Sequence, residues 1–145
     1  MKNLLNEVRI CFTAISENES FARGVAVSFV SQASPTITQL ADVKCAVSEA
    51  VTNAIVHAYP DTVGKVTMTL RRYEGGQIVI TVKDSGIGIE DVETARQPLY
   101  TTDTTGERSG MGFAIMESMT DRLTVRSKRG HGTTVTMRIK VGAYA

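Results

Sequence analysis

The sequence predicts one domain of the α+β class, a two-layer α/β sandwich in which helices cover one face of a mostly antiparallel sheet. Three observations predict this fold. The chain has 145 residues, about the length of one domain and enough to bury a core without disulfides or metals. Its elements are ordered strand, two helices, two strands, loop, helix, two strands. The last two pairs of strands are each joined by a short glycine-containing turn, the signal of a hairpin. From the chain length, residues 1–145 are expected to form a single domain.

The chain begins with a predicted strand and helix. Residues 4–15 include alternating apolar and polar side chains, the pattern of a half-buried strand. Ser16 or Asn18 is the expected N-cap of the helix that follows. This helix should end before Pro35, because the residue preceding a proline is biased away from helical geometry. The side chains expected to face inward are Val8, Ile10 and Phe12 in the strand and Phe21, Val25, Phe29 and Val30 in the helix.

A longer helix is expected to begin at Thr36 or Thr38 and to run to about His57, before Pro60. An α-helix turns about 100° per residue, so its apolar side chains fall on one arc, which should face the sheet. The residues on this arc are Leu40, Val43, Val47, Ala50, Val51, Ala54 and Ala58.

The second half of the chain reads as two hairpins separated by a loop and a helix. Residues 65–73 and 77–84 are strand-like runs joined by Glu-Gly-Gly, and residues 123–141 form a second hairpin around Gly-His-Gly. Between the hairpins, residues 97–110 are polar and loop-like, and residues 111–122 read as an amphipathic helix. The side chains of this helix expected to face inward are Phe113, Ile115, Met116 and Met119.

The composition is typical of a soluble globular protein, with 42% hydrophobic and 21% charged residues. The formal net charge of +1 argues against a dedicated nucleic-acid or anionic-membrane surface, although a local basic patch is still compatible with it. Cys11 and Cys45 lie in apolar stretches and are expected to be reduced core thiols of a cytoplasmic protein. The N-terminus lacks the apolar segment of a signal peptide, and no apolar run approaches the ~20 residues that span a bilayer.

The long helix carries a line of polar residues beside its apolar arc. Glu49, Asn53 and His57 follow one another at intervals of four residues, so they share one flank of the helix. Such residues often only extend to solvent or cap a helix, and His57 suits a helix C-terminus. The chemistry of the groups favours a functional role instead, because Glu can take a proton and Asn offers a neutral oxygen suited to Mg²⁺.

Two glycine stretches follow. Asp84-Ser85-Gly86-Ile87-Gly88 comes directly after a strand, where Asp and Gly are also the commonest turn residues. Its glycines permit a ligand to approach the backbone, and its carboxylate could accept from an exocyclic amine. Residues 108–112 lead into a helix, whose N-terminal N–H groups with Arg108 suit a phosphate. They are neither a Walker A loop nor a dinucleotide-binding fingerprint.

Taken together and in order, these motifs resemble the Bergerat-type ATP-binding domain shared by DNA gyrase, Hsp90 chaperones, sensor histidine kinases and MutL. The resemblance covers nearly the whole chain. Its four motifs are Glu49–Asn53, Asp84–Gly88, Gly110–Gly112 and Gly132–Thr134. Further segments resemble the bacterial anti-sigma factors that are also serine kinases, most closely the sporulation (sigma F) type, with the stress-response (sigma B) type next. These segments are SENESFAR, VSEAVTNAIVHAY, ARQPLYTT and ERSGMGFAIME.

The resemblance implies a role for each matching residue in binding ATP or ADP with Mg²⁺. Glu49 would be the general base that deprotonates a substrate serine, Asn53 would bind Mg²⁺, and Arg108 would reach the γ-phosphate or the docked substrate. Asp84 would bind the adenine amino group with help from Thr133. The remaining nucleotide contacts implied are His57, Gly86, Gly88, Thr101, Thr102, Ser109, Gly110, Met111 and Gly112, with residues 97–110 as a mobile lid.

The resemblance also implies protein partners: a sigma factor, an anti-anti-sigma factor as phosphorylation substrate, and a second copy in a homodimer. By this resemblance, Arg23 matches the sigma contact, Thr52 would lie beside Glu49 on the partner side, and Arg108 would contact both nucleotide and partner. Cys45 and Val56 lie off the apolar arc, which hints at a second buried side of that helix. An ATP-gated binding module without kinase activity is the alternative, and the presence of Glu49 favours the enzyme. No direct nucleic-acid or membrane partner is expected.

Overall fold

Five strands form one antiparallel sheet in the computed structural model of the chain, which describes residues 2–89, 92, 96 and 112–142. The strand order across the sheet is β1-β2-β3-β5-β4, so β1 and β4 are the edges. The elements within the described ranges are β1 Leu4–Thr13, α1 Glu17–Val30, a 3-10 turn Ser31–Ala33, α2 Ile37–Val56, β2 Lys65–Tyr73, β3 Gln77–Asp84, α3 Gly112–Ser118, β4 Arg122–Lys128 and β5 Gly132–Lys140. The predicted α+β sandwich and its element order are confirmed.

The core lies between the helices and one face of the sheet. Alternate strand residues point into it, and α2 contributes the predicted apolar arc, with Leu40 half-buried at its margin and Ala58 buried just beyond the end of the helix. Cys11 is exposed and Cys45 is half-buried, so the core position predicted for these two thiols is wrong. No helix in the described ranges is both long and apolar enough to cross a membrane. The fully buried large side chains are Met68, Leu70, Ile78, Ile80, Met116, Met137, Val30, Val43, Val47, Val51, Val66 and Val82.

The N-terminus of α2 is fixed by the capping box that the sequence allows. The Thr36 hydroxyl accepts from the Gln39 N–H at 3.1 Å, and the Gln39 side-chain oxygen accepts from the Thr36 N–H at 2.9 Å. The same Gln39 oxygen accepts from the N–H of Gly142 at 2.8 Å, which ties the start of α2 to the residues after β5. The first turn of α2 is therefore anchored both by its own capping box and by the chain after β5.

The predicted inward stripe of α1 is wrong at Phe21, which is 56% exposed. Ala22 and Ala26 are fully buried instead, one position further along, and Phe29 and Val30 are buried as predicted. Small side chains let α1 approach α2 closely, and apolar periodicity does not distinguish a small buried residue from a large exposed neighbour. α1 begins after Ser16, as predicted, but the Ser16 side chain makes no capping hydrogen bond.

α3 ends at Ser118, four residues before the predicted boundary at residue 122. The Thr120 hydroxyl donates to the Met116 carbonyl at 2.8 Å, and the Asp121 N–H donates to the Arg138 carbonyl at 2.9 Å. The chain is thus already hydrogen-bonded to β5 at Asp121, and sheet pairing ends the helix early.

Candidate functional site

The loop after β3 is held between the end of α2 and the β4–β5 hairpin. The Ile87 N–H donates to the Ala58 carbonyl at 2.9 Å, just beyond the C-terminus of α2. On the other side, the Gly130 N–H donates to the Ile87 carbonyl at 2.6 Å, and the Ile89 N–H donates to the Ser127 hydroxyl at 2.7 Å. The polar line of α2 and the aspartate that ends β3 therefore belong to one region of the surface.

Asp84 is the buried polar residue at the centre of this region, with only 7% of its surface exposed. Its Oδ1 accepts from the Gly86 N–H at 3.0 Å and from the Thr133 N–H at 3.2 Å. Within the described residues, no hydrogen bond reaches Oδ2, which can therefore accept from a ligand donor such as an amine. Burial raises the pKa of the Asp84 carboxyl, and the two N–H bonds offset this only in part.

Ser127 is a site residue that the sequence reasoning missed. Its hydroxyl has one proton and three partners: the Ile89 N–H at 2.7 Å, the Gly132 carbonyl at 2.9 Å and the Thr133 hydroxyl at 2.8 Å. The carbonyl can only accept, so all three bonds are satisfied when Ser127 donates to Gly132 and accepts from Thr133. The Thr133 oxygen, whose proton is then used, can only accept a hydrogen bond from a ligand or water. The signal was the hairpin register, which pairs Ser127 with Thr133 across the Gly130 turn.

The loop after β3 needs glycine at residues 86 and 88, because other parts of the backbone come too close for a side chain there. A Cβ added to Gly86 would lie 2.0 Å from the Ala58 carbonyl oxygen. Gly88 has a φ of +76°, and its Cβ would lie 2.2 Å from the Lys128 carbonyl oxygen. These close approaches let the loop pack between α2 and the hairpin. Direct contact of either glycine with a base remains a prediction.

Glu49, Asn53 and His57 are all half-buried on α2, as their position beside the apolar arc predicts. His57 is the C-cap residue, and its N–H donates to the Asn53 carbonyl at 3.0 Å. Burial raises the pKa of the Cys45 thiol, and the nearby carboxylates of Glu49 and Asp42 raise it further. Cys45 therefore stays protonated at neutral pH and is a poor nucleophile.

The two predicted partner residues in the described part of the chain belong to one hydrogen-bonded series between α1 and α2. Arg23 forms an ion pair with Glu19 at 3.3 Å, and Glu19 also accepts from the Ser48 hydroxyl. The Ser48 carbonyl in turn accepts from the Thr52 hydroxyl at 2.6 Å. Ser48 directly precedes Glu49, so this series ends beside the proposed base.

The donor set for a metal is sparse. Within the described residues, no three His, Cys, Asp or Glu side chains come together as a cage for an ion. The oxygens of Asn53 and Glu49 suit Mg²⁺, which commonly takes few protein ligands and completes its shell with phosphates and water. Gly112 is the first residue of α3. The other predicted nucleotide and lid residues lie outside the described residues: Thr101, Thr102, Arg108, Ser109, Gly110 and Met111.

Comparison with known families and proteins gives a consistent result. Residues 12–139 match the histidine kinase-like ATPase domain family. The anti-sigma F factor of Pasteuria penetrans is 50% identical over 139 residues, which cover 95% of this chain and 93% of that protein. The anti-sigma F factor of Clostridium perfringens (strain SM101 / Type A) is 49% identical over 136 residues, with coverages of 94% and 97%.

Solved structures share the fold at lower identity. The RsbU and RsbW domains of a Mycobacterium tuberculosis protein align with a TM-score of 0.68 and 18% identity, covering 94% of this chain and 33% of that chain. The mycobacterial sensor histidine kinase MprB aligns with a TM-score of 0.58 and 16% identity, with coverages of 92% and 98%.

Proposed function

Because the chain belongs to the histidine kinase-like ATPase family, and within it to the anti-sigma F factors, we propose that it inhibits a sporulation sigma factor of the sigma F type. We further propose that it uses Mg-ATP to phosphorylate a serine of its anti-anti-sigma antagonist. Sigma factors act on RNA polymerase, so the proposed location is the cytoplasm.

The observation that carries the nucleotide assignment is the geometry of Asp84. Its Oδ1 is occupied by the N–H groups of Gly86 and Thr133, whereas Oδ2 accepts no bond within the described residues. An adenine amino group is a donor and fits this acceptor, whereas the guanine carbonyl at the same position would face a carboxylate. Thr133, held by Ser127 as an acceptor, would bind a bridging water that donates to the base.

The proposed reaction is in-line transfer of the γ-phosphoryl group to a serine hydroxyl. The serine oxygen forms a bond to the γ-phosphorus, the bond to the bridging oxygen breaks, and ADP leaves. Glu49 accepts the serine proton, a contribution typically worth ~10²–10⁴-fold in rate. Asn53 would hold Mg²⁺, which supplies charge compensation for the phosphates. Arg108 would stabilise the transferring group.

The remaining nucleotide contacts are proposed around the same phosphates. His57 is the C-cap residue one turn after Asn53 and would support the phosphate side. The N–H groups entering α3 would bind phosphate oxygens, because a helix N-terminus favours anions. Closure of the lid would exclude water and so favour transfer to serine over hydrolysis. The residues proposed for these contacts are Ser109, Gly110, Met111 and Gly112, with Thr101 and Thr102 in the lid.

The proposed sigma contact lies on α1. Arg23 keeps about a third of its side chain exposed while paired with Glu19. Elsewhere on α1, the exposed ring of Phe21 lines a groove of about 470 Å³ with Val8 of β1 and Val25 of α1, and Arg23 is not among the residues that line this groove. The partly exposed guanidinium of Arg23 suits an acidic group on a protein partner. Thr52 and Arg108 are proposed as further partner contacts, and a homodimer is proposed for the assembly.

A test of the kinase assignment compares Glu49→Ala with Glu17→Ala, a matched change at an exposed glutamate in the first turn of α1. Glu49→Ala should keep ADP binding and lose phosphoryl transfer to the antagonist, measured as phosphoserine by mass spectrometry. Glu17→Ala should transfer at the wild-type rate. Transfer by Glu49→Ala at near the wild-type rate would sink the proposed mechanism.

A second experiment separates the kinase from its alternatives. The tagged protein is incubated with lysate of the source cells in Mg-ATP or in Mg-ADP, and captured proteins are identified by mass. The proposal expects a sigma factor retained in ATP and a small antagonist that is retained in ADP and phosphorylated in ATP. Capture of a stress-response sigma factor would reassign the partner. Nucleotide-dependent capture without phosphorylation would favour the binding module, and capture that ignores nucleotide would contradict the nucleotide site itself.

A further inference from the structure

The face of the sheet that points away from the helices carries most of the chain's positive charge. Strand register and alternate burial identify the outward positions. All residues of β1 to β5 are described, and among their outward positions Glu7 is the single acid, paired with Arg71 at 2.7 Å. Of the 16 Lys and Arg residues in the chain, the outward positions hold Arg9, Lys65, Arg71, Lys83, Arg122, Arg126, Lys128, Arg138 and Lys140. We call this surface the outer sheet face.

The cations on the outer sheet face surround an uncharged centre. One row across four adjacent strands consists of Thr69, Thr81, Thr136 and Thr124, in register with one another. Arg9 of β1 ends this row, and the other eight lysines and arginines of the face lie in the rows on either side. The chain as a whole is nearly neutral, with a net charge of +1, so the rest of the molecule must carry a compensating negative charge. The positive charge of the protein is therefore concentrated on its outer sheet face.

We propose that the outer sheet face is a docking surface for an acidic region of a second protein. Five strands ~4.8 Å apart, each about 30 Å long, give roughly 600 Å², close to the ~800 Å² that each partner contributes to a standard interface. A centre depleted of charge within a charged border is the arrangement of protein interfaces. The charges would mainly steer association and fix orientation.

The same arrangement disfavours the other occupants. Nucleic acid would require cations aligned along a phosphate backbone, and aromatic side chains if it were single-stranded. The central row here is threonine, and Tyr73, at the end of β2, is the one aromatic residue among the outward strand positions. A second copy docked face to face would place like charges opposite one another. An acidic protein surface is the occupant that the charge pattern fits.

The test measures binding of fluorescein-labelled poly-L-glutamate by anisotropy. The face variant is Arg9→Gln with Arg122→Gln, two exposed residues on the two edge strands. The control variant is Lys2→Gln with Lys44→Gln, exposed residues outside the outer sheet face that change the net charge equally. The face variant should bind about fourfold more weakly, since each exposed ion pair contributes a factor of about two. The control variant should bind like the wild type, and both should bind ADP unchanged.

Several outcomes would overturn the proposal. Equal weakening in both variants would mean that only net charge matters. Tighter binding to a random-sequence DNA duplex of equal total charge would identify nucleic acid as the partner. Tighter binding to phosphatidylserine-containing vesicles would identify a membrane. A change of oligomeric state in the face variant, measured by sedimentation, would mean that a second copy occupies the face. One further result bears only on the proposed function. A wild-type protein that does not bind ADP would contradict that function and leave the inference about the outer sheet face intact.

Discussion

The substitution Asp84→Asn should weaken nucleotide binding while it stabilises the empty protein. The N–H groups of Gly86 and Thr133 both donate to Oδ1, so an asparagine must direct its oxygen toward them. Its NH₂ group then replaces Oδ2 and faces the adenine amino group, donor against donor. Loss of a hydrogen bond to a charged acceptor costs about 1.5–3 kcal/mol, which lowers ADP affinity about 10- to 150-fold.

The stability change follows from the titration of the same carboxyl. Burial raises the pKa of Asp84 above its unfolded value. A raised pKa means that its stabilising contribution is present below the unfolded pKa and is lost as the pH rises through the folded pKa. Asparagine does not titrate. The unfolding free energy of Asp84→Asn relative to wild type should therefore increase from about pH 4 toward pH 7.

Two assays check these expectations. Isothermal titration calorimetry measures ADP affinity, and urea unfolding at a series of pH values measures stability. Asp61→Asn, at an exposed loop carboxylate, is the matched control and should leave ADP affinity unchanged. An Asp84→Asn protein that binds ADP as tightly as wild type would refute the adenine assignment. A stability difference that is flat or falls with rising pH would refute the burial argument.

Three further changes test the surrounding structure. Ser127→Ala frees the Thr133 hydroxyl to donate, so the ratio of ATP to GTP affinity should fall. In a Thr133→Ala background the same Ser127→Ala change should leave that ratio unaltered, and an equal fall there would contradict the link. Gly86→Ala places a methyl group 2.0 Å from the Ala58 carbonyl oxygen and should lower the free energy of unfolding by about 3 kcal/mol in urea; wild-type stability would disprove the close approach. Thr36→Ala removes the cap and should cost about 1 kcal/mol with ADP affinity unchanged, whereas an unchanged urea midpoint would contradict the capping box.

The sequence predicts the strands well because alternation and turn chemistry are local. β2 and β3 match their predicted bounds residue for residue. The failures lie where tertiary contacts decide. α3 stops early because Asp121 pairs with β5. In α1, Phe21 is exposed because small residues one position along let the helices approach.

The site divides in the same way. Asp84 is recognisable from its motif, because the aspartate follows a strand and precedes glycines. Ser127 has no motif of its own and acts through three partners that only the folded hairpin brings to it. The charge distribution is a similar case. A net charge of +1 suggests no polyanion surface, yet the register of five strands collects nine cations on one face.

The helix α2 sets a fixed distance between the two ends of the proposed nucleotide site. From Glu49 to Ala58, whose carbonyl binds the loop beyond Asp84, nine residues of near-helical rise amount to about 14 Å. A hydrogen-bonded helix does not stretch. A nucleotide whose adenine is bound at Asp84 would therefore span a constant distance to reach Glu49, the proposed general base. A diphosphate is one phosphoryl group shorter than a triphosphate, so at the proposed site ADP would lack the group that is transferred beside Glu49. The proposed site would thus distinguish ATP from ADP by length, without any change in how it holds the adenine.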